Sequence, residues 1–179
     1  MRKALYILGV LDDCDIDWLA SAGKRERLSA GTTLVRQSCE LSSVYIILDG
    51  SLAVRPSAAA GKDIAILRAG EIVGEMSFVD ARPPSANVVA LEDSMVLSIP
   101  RDMLSERLKE PAFAARFYRA LAIFLANRLR KTVAQFGYGK VAGKADMAEG
   151  EEEVGPTALE NLVIAGARFD WMLKRLRGV

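Results

Sequence analysis

Residues 70–90 read GEIVGEMSFVDARPPSANVVA, a segment in which two glycines frame a short apolar run and a Pro-Pro pair follows. Gly74 allows the backbone to approach a ligand closely, and residues 75–78 can form one helical turn whose free N–H groups would point at an anion. Glu75 offers a carboxylate to sugar hydroxyls, and Ser85 offers a hydroxyl and a backbone N–H. The segment is therefore a candidate cradle for a phosphate and a ribose, and a plain glycine turn in a β protein is the alternative.

Short strands are predicted around this segment, over about residues 25–100. Residues 44–48, VYIIL, are rich in β-branched and aromatic side chains, and the dipeptide Asp49-Gly50 then leads into residues 51–54. A two-residue Asp-Gly link between two such runs predicts a β-hairpin. Further strand candidates, separated by glycine-containing turns, lie at residues 33–35, 64–67, 87–90 and 95–99. The spacing predicts an antiparallel sandwich or jelly roll.

Helices are predicted on both sides of the strands. Apolar residues recur at helical spacing over about residues 1–24, and three aspartates crowd the predicted N-terminus of that helix. Over about residues 101–136 a long helix is predicted, with Pro111 in its first turn. Its apolar stripe, about five turns long, consists of Phe113, Phe117, Leu121, Phe124, Leu125 and Leu129. The fold class is therefore α+β and mainly β.

The long apolar stripe predicts a homodimer, because a helix of that length rarely covers its whole stripe within so small a domain. The predicted interface consists of Phe117, Leu121, Phe124 and Leu129. Packing of the stripe on the chain's own β domain is the alternative. Residues 137–156, which include an acidic run at 149–153, predict a flexible linker. Residues 157–179 predict a separate amphipathic helix, which a protein partner could bind.

The composition excludes several classes of function. The 179 residues include no histidine, which removes Ser-His-Asp and Cys-His catalysis and His-ligated zinc or haem. The two cysteines, Cys14 and Cys39, are too few for a cysteine-only metal cluster and suit a reduced cytosol. A net charge of +1 gives no global reason to bind nucleic acid or an anionic membrane, and no apolar run has the roughly 18–20 residues of a membrane span. We expect a cytoplasmic protein with no resident cofactor or metal.

Residues 70–90 resemble the phosphate-binding cassette of the cyclic-nucleotide-binding domain, found in Crp/Fnr-type regulators and kinase regulatory subunits. That cassette reads Gly-Glu, then apolar and small residues, then Pro-Arg-Ser/Thr-Ala before a strand. The likeness extends in the same order over about residues 11–135, through a leading helix at 11–23, early strands at 44–54 and a long helix at 125–132. It implies a jelly-roll β-roll of about eight antiparallel strands, flanked by an N-terminal helix and a long C-terminal dimerisation helix.

The resemblance also implies which residues contact the ligand. Gly74 and Glu75 would hold the ribose 2′-hydroxyl, and Met76 and Ser77 would offer backbone N–H groups to the cyclic phosphate. The ligand implied is cAMP or cGMP.

The other side of the implied site comes from two further segments. Ser85 and Ala86 would close the phosphate site. Thr132 matches a helix position that touches the base in some dimeric members, sometimes across the subunit boundary.

One departure from the family pattern concerns the charge of the phosphate site. The family's arginine stands directly before the Ser/Thr, where this chain has Pro84. Proline supplies neither charge nor N–H, whereas arginine supplies charged and often bidentate bonds to phosphate. Arg82, two residues earlier, could return to the same face of an extended segment and substitute, although Pro83 and Pro84 stiffen that path.

Two hypotheses about function remain open. In the first, the chain is a non-enzymatic sensor, in which a cyclic nucleotide enters the β-roll and the long helix signals to a partner. In the second, it is a ligand-independent dimeric scaffold with a degenerate cassette, and Pro84 favours this alternative. Crp-type regulators continue into a winged helix-turn-helix domain, but here an acidic linker and one helix follow, so we expect no DNA-binding domain.

Overall fold

The computed structural model describes residues 6–59, 62–135 and 156–177. It opens with two helices, α1 (Tyr6–Val10) and α2 (Asp13–Ala22). Eight strands follow: β1 (Lys24–Leu28), β2 (Thr33–Val35), β3 (Ser43–Asp49), β4 (Ser51–Arg55), β5 (Ala65–Arg68), β6 (Ile72–Val73), β7 (Asn87–Ala90) and β8 (Ser94–Pro100). The remaining helices are α3 (Glu75–Asp80), between β6 and β7, and then α4 (Arg101–Arg107), α5 (Pro111–Gln135) and α6 (Pro156–Arg177).

The strands form two antiparallel sheets of four, in the orders β1-β8-β3-β6 and β2-β7-β4-β5. Side chains of both sheets share one buried cluster, with Ile47 and Val96 from the first sheet and Leu52 and Val88 from the second. The β-roll predicted from the sequence, with helices at both ends, is confirmed.

The Asp49-Gly50 link does not close a hairpin, so that prediction is wrong. β3 pairs with β6 and β8, whereas β4 pairs with β5 and β7, and the link therefore carries the chain from one sheet to the other. Gly50 has a φ of +85°, which favours glycine, and Ser94 lies so close that an added Cβ would clash with it.

Strand β3 separates the two cores of the molecule. Tyr45 and Ile47 face the cluster between the sheets, while Val44, Ile46 and Leu48 face a second cluster, which is formed with the helices. Successive side chains of a strand point to opposite faces, so both faces of β3 are covered. This explains why its sequence is a continuous apolar run rather than an alternating pattern.

The apolar stripe of α5 is buried in the helical cluster. Phe113, Phe117, Leu121 and Phe124 are at most 7% exposed, and they pack with apolar side chains of α1, α2 and the first sheet. The prediction that Phe117, Leu121 and Phe124 form a dimer interface is therefore wrong, because the chain itself covers them. Leu129, the last residue of the predicted interface, is 63% exposed.

Helix α6 packs against α1 and α2, and it completes the same core. Its residues Ala165, Phe169 and Met172 are buried there. The amphipathic helix predicted at 157–179 is thus observed as α6, with this apolar face covered by the chain's own N-terminal helices. The linker predicted for 137–156 lies outside the described residues apart from its last residue. Within the described part of the chain, no helix combines the length and the hydropathy needed to cross a membrane.

The aspartates at the start of α2 bind arginines from three other helices. Burial alone would raise the pKa of Asp15, but the hydrogen bonds from Arg116 and from the backbone N–H of Asp12, with the charges of Arg116 and Arg107, outweigh it and hold that pKa below its usual value. The ion pairs are Asp12–Arg116, Asp13–Arg168, Asp15–Arg107, Asp15–Arg116 and Asp17–Arg175. Helix α2 is therefore the element to which α4, α5 and α6 are all fastened.

Candidate functional site

The glycine turn between β6 and α3 has the conformation that the sequence predicts for a close backbone approach. Gly74 is the N-cap of α3 and has a φ of +89°. A Cβ at this position would lie 2.5 Å from Cδ2 of Leu41 and 3.3 Å from the carbonyl oxygen of Ser43. The backbone conformation therefore favours glycine, and a Cβ here would also force the side chain of Leu41 to shift. The helical turn predicted at residues 75–78 is present, and α3 extends it to Asp80.

Glu75, the first residue of α3, points inward and is 3% exposed. Its carboxylate accepts a hydrogen bond from Nη1 of Arg128, which is on α5. Burial raises the pKa of Glu75, the positive charge of Arg128 opposes that increase, and the nearby charge of Glu71 adds to it. The guanidinium of Arg128 also lies over the ring of Phe124, 5.2 Å from the ring centroid. A buried carboxylate at the glycine turn is therefore joined directly to the long helix.

Arg128 is not among the site residues that the sequence predicts. A signal was nevertheless present, because Arg128 follows Phe124 by four residues and therefore lies on the same helix face as a stripe residue. A cation next to the buried stripe of a helix is a candidate partner for an inward-facing carboxylate.

The far end of α3 is held by Arg101, at the start of α4. Its guanidinium donates to the carbonyl oxygens of Ser77 and Phe78, at 3.0 and 3.5 Å, and lies 5.4 Å from the centroid of the Phe78 ring. Phe78 in turn meets Phe117 of α5 edge to face, with the centroids 6.3 Å apart. A cation at a helix C-terminus satisfies carbonyl groups that have no partner within the helix. Helix α3 is therefore fixed at both ends, to α5 and to α4.

Two of the predicted site residues on α3 differ in exposure. Ser77 is buried, whereas the side chain of Met76 is 55% exposed. The role predicted for both concerns backbone N–H groups rather than side chains, and these groups lie in the first turn of α3.

Arg82, the predicted substitute for the missing arginine, lies at the surface. Its side chain is 84% exposed, and its Nε is 4.0 Å from Oδ2 of Asp80. Its backbone N–H donates to Oδ1 of the same aspartate at 3.0 Å. Ala81, which precedes it, has a φ of +55° and turns the chain at the end of α3. In this conformation Arg82 is directed to Asp80 and adds no positive charge beside Glu75.

The Pro-Pro segment is tied to the loop between β2 and β3. The carbonyl oxygen of Pro84 accepts a hydrogen bond from the N–H of Ser38 at 2.9 Å, and the side-chain oxygen of Asn87 accepts one from the N–H of Gln37 at 2.9 Å. Ser38 has a φ of +62°, so it adopts the left-handed conformation that is uncommon for residues other than glycine. Pro84 therefore helps to fix the backbone of the segment, although it adds no charge.

The remaining predicted residues lie on two elements. Ser85 is exposed and Ala86 is buried, directly before β7. Thr132 is exposed on α5, and its hydroxyl donates to the carbonyl oxygen of Arg128 at 3.0 Å. The helix that brings Arg128 to Glu75 thus carries Thr132 one turn further along.

This arrangement suits binding of a small polar ligand. Glu75 can accept from a sugar hydroxyl, the first turn of α3 offers N–H groups, and Arg128 offers a positive charge. Among the described residues, no group of three or more histidine, cysteine, aspartate or glutamate side chains is placed to hold a metal ion.

The two-sheet roll carries a glycine turn at Gly74 and a buried carboxylate at Glu75 directly after it. Residues 25–110 match the family model of the cyclic nucleotide-binding domain. Residues 25–110, which include most of the β-roll, are therefore similar to that domain.

Two curated relatives match about two thirds of the chain. The chain is 30% identical over 119 residues to the Pycsar effector protein XpPycTIR of Xanthomonas perforans, covering 65% of this chain and 38% of the relative. It is 30% identical over 120 residues to the cyclic AMP receptor protein of Thermus thermophilus, covering 65% of this chain and 54% of the relative. The chain therefore spans about half or less of the length of these relatives.

A solved structure agrees with the fold. The cyclic nucleotide-binding domain from Methylobacillus flagellatus superposes with a TM-score of 0.67 at 23% identity, over 81% of this chain and 86% of that one. At this identity the likeness concerns the fold alone.

Proposed function

We propose that the chain is a non-enzymatic sensor module that binds cAMP or cGMP in the segment from Gly74 to Ala86 and signals through its C-terminal helices to a partner. The observation that carries the proposal is the bond between Glu75 and Arg128. It places the carboxylate expected to bind the ribose in direct contact with α5. The names of the two curated relatives, a Pycsar effector and a cyclic AMP receptor, agree with a signalling role. The proposal includes a cytoplasmic location, since both cysteines are free.

The contact suggests how binding would reach the helices. A ribose hydroxyl that bonds to Glu75 shares that carboxylate with Arg128, so the ligand changes the surroundings of a contact that α5 makes with α3. A ligand shifts a conformational equilibrium only by its different affinity for the two states. The Glu75–Arg128 bond is a contact that can differ between them. In this proposal Met76, Ser77, Ser85 and Ala86 surround the phosphate, and Thr132 faces the base.

The proposal is tested by calorimetric titration of the whole chain with cAMP, cGMP and a cyclic dinucleotide. We expect one of the two mononucleotides to bind with a dissociation constant of roughly tens of micromolar, because the cassette has no arginine at Pro84. Glu75→Gln should weaken binding by about tenfold or more, since it removes the negative charge of the carboxylate that accepts a hydrogen bond from the ribose hydroxyl. Glu106→Gln on α4, whose side chain is 72% exposed, is the matched control and should bind as the wild type does.

A ligand-independent scaffold is the second candidate. Pro84 and the outward direction of Arg82 favour it, because the segment itself then holds no cation for a phosphate. A folded chain that gives no heat with any of the three nucleotides would support the scaffold. Unchanged affinity in Glu75→Gln would place the ligand elsewhere on the molecule.

The proposal includes a homodimer formed through the outer face of α5. Tyr118, Leu129 and Val133 remain 44–63% exposed there, although the inner stripe is buried. Ala122 is also exposed, and the four residues lie along one side of the helix, with about one or two turns between neighbours. A second α5 could cover these side chains in the manner of a coiled coil.

A further inference from the structure

The segment that should hold the phosphate brings no inward cation of its own. Pro84 stands where the family has its arginine, and Arg82 is directed outward to Asp80. Arg101 also contacts α3, but its guanidinium donates to the carbonyl oxygens of Ser77 and Phe78, toward the far end of the helix from Gly74. A cyclic phosphate carries a full negative charge, and backbone N–H groups alone leave it without a counter-charge.

Arg128 brings a cation to this segment from α5. Its Nη1 bonds to Glu75, and its side chain is 30% exposed, so the guanidinium reaches inward without being sealed from solvent. Within the described residues, Nη1 is the nitrogen of this guanidinium that donates a hydrogen bond, and Glu75 is its acceptor. An arginine side chain has five N–H donors in a planar fork, so the Glu75 contact leaves donors for a second acceptor. The ring of Phe124 lies against the guanidinium and limits where the fork can turn.

The chemistry of the ligand places that second acceptor close by. In a 3′,5′-cyclic nucleotide the 2′-hydroxyl stands on the carbon next to the one whose oxygen is esterified to phosphorus. A guanidinium bonded to the carboxylate that receives the 2′-hydroxyl is therefore near the phosphate as well. Arginine binds phosphate oxygens through two parallel N–H bonds, which gives both charge and orientation.

We propose that Arg128 supplies the counter-charge for the cyclic phosphate that the cassette lacks at Pro84, reaching it from α5 while Glu75 binds the 2′-hydroxyl. This inference rests on the proposed function, since it requires a cyclic nucleotide in this site. It explains how a segment with proline at the arginine position can still bind an anion. It also makes the affinity depend on where α5 lies, because the positive charge that binds the phosphate is on the long helix rather than on the β-roll.

The alternative is that Arg128 only orients Glu75 and does not bind the phosphate. A ligand without the 2′-hydroxyl distinguishes these two roles. With 2′-deoxy-cAMP the contribution of Glu75 to ribose binding is absent, whereas the phosphate is unchanged. An arginine that merely orients Glu75 should then no longer matter. An arginine that holds the phosphate should matter as much as before.

The test is calorimetric titration of the whole chain, as wild type and as Arg128→Gln, with cAMP and 2′-deoxy-cAMP, and with cGMP and 2′-deoxy-cGMP. We expect Arg128→Gln to weaken both members of the bound pair by about tenfold to a hundredfold. Arg130→Gln, two residues away on the exposed side of α5, should leave both affinities unchanged. A loss for the ribonucleotide with none for the 2′-deoxynucleotide would overturn the inference. Unchanged binding of both nucleotides would overturn it as well.

Arg128→Gln leaves the buried Glu75 without its partner and could destabilise the fold, so a second comparison controls for this effect. The double variant Glu75→Gln with Arg128→Gln removes both charges and is compared with Glu75→Gln alone, on the 2′-deoxynucleotide. We expect the double variant to bind about tenfold more weakly, and equal affinity would overturn the inference. A wild type that binds no cyclic nucleotide would overturn the proposed function itself, a result distinct from a wild type that binds while Arg128→Gln changes nothing.

Discussion

Arg116 of α5 donates two hydrogen bonds to the carboxylate of Asp15 on α2, at 2.6 and 2.9 Å, although the two residues lie 101 positions apart in the sequence. Asp15 is fully buried, and its other bond comes from the N–H of Asp12 at the start of the same helix. The long helix that contacts Glu75 through Arg128 is therefore also fastened, near its beginning, to the N-terminal helices. Its position is set at both ends by arginines that bind buried carboxylates.

Asp15→Asn should destabilise the fold. The substitution replaces the carboxylate by a neutral amide with one acceptor fewer, and Arg116 and Arg107 would keep their charges beside it. Breaking a buried ion pair costs about 3–5 kcal/mol, and we expect about 2–3 kcal/mol here because Arg116 is partly open to solvent. Urea unfolding measures the change. Asp13→Asn, whose side chain is 85% exposed, is the control and should cost about 1 kcal/mol or less.

The same carboxylate should contribute to the acid sensitivity of the protein. The pKa of Asp15 is lower in the folded chain than its ordinary value, because the hydrogen bonds and charges around it outweigh burial. Its stabilising contribution is therefore complete above the ordinary pKa of about 4 and is lost as the pH falls through the lower folded value. Unfolding free energies measured at several pH values should fall less steeply toward acid in Asp15→Asn than in the wild type. Parallel pH profiles would contradict the assignment.

Gly74→Ala should damage the candidate site more than its backbone conformation alone explains. Alanine at a φ of +89° is strained, and its Cβ would also meet Leu41 at 2.5 Å. Gly31 is a matched control, since it has a φ of +83° with no atom within 4 Å of an added Cβ. We expect Gly31→Ala to cost about 1 kcal/mol and Gly74→Ala about 2–3 kcal/mol, with nucleotide affinity lowered only in the latter. Thermal unfolding and calorimetry give both quantities, and equal effects would show that Leu41 moves aside.

Leu129→Glu should separate the proposed homodimer. Leu129 is 63% exposed on the outer face of α5, so a charge there would oppose helix pairing without entering the core. Sedimentation at micromolar concentration should show a dimer for the wild type and a monomer near 19.4 kDa for the variant. Ile66→Glu on β5, at a residue that is 49% exposed, is the control and should remain dimeric. A monomeric wild type would exclude the dimer.

The sequence predicted those parts of the fold that depend on local chemistry. Gly74 was found because the turn it makes is unavailable to other residues, and the helical turn at 75–78 follows from it. The short strands were found from β-branched runs and glycine spacing. The cassette positions, from Gly74 to Ala86, could be named from family resemblance because they are contiguous in the sequence.

Relationships between distant residues could not be predicted in the same way. Glu75 and Arg128 are 53 positions apart, and their contact depends on how α5 crosses the β-roll. The α5 stripe contains Phe117 and Leu129, but only the packing of the folded chain shows that the first faces the core and the second faces solvent. The Asp49-Gly50 link has the composition of a hairpin, but the strands on its two sides pair within different sheets, and those pairings join residues that are distant in the sequence.

Pro84→Arg should restore a cassette arginine, and its effect should depend on Arg128. In the wild type we expect a gain of about tenfold, at the low end for a charged hydrogen bond, because Arg128 already faces the phosphate. In Arg128→Gln the same substitution should recover most of the lost affinity, since it replaces the charge from the other side. The carbonyl of residue 84 keeps its acceptor role toward Ser38, so the loop remains in place. Arg82→Ala should change nothing, because that side chain is 84% exposed and directed to Asp80. Calorimetry measures the nucleotide affinities of these variants. An equal gain in both backgrounds would mean that the two arginines do not share the phosphate. No gain in a folded Pro84→Arg would favour the scaffold.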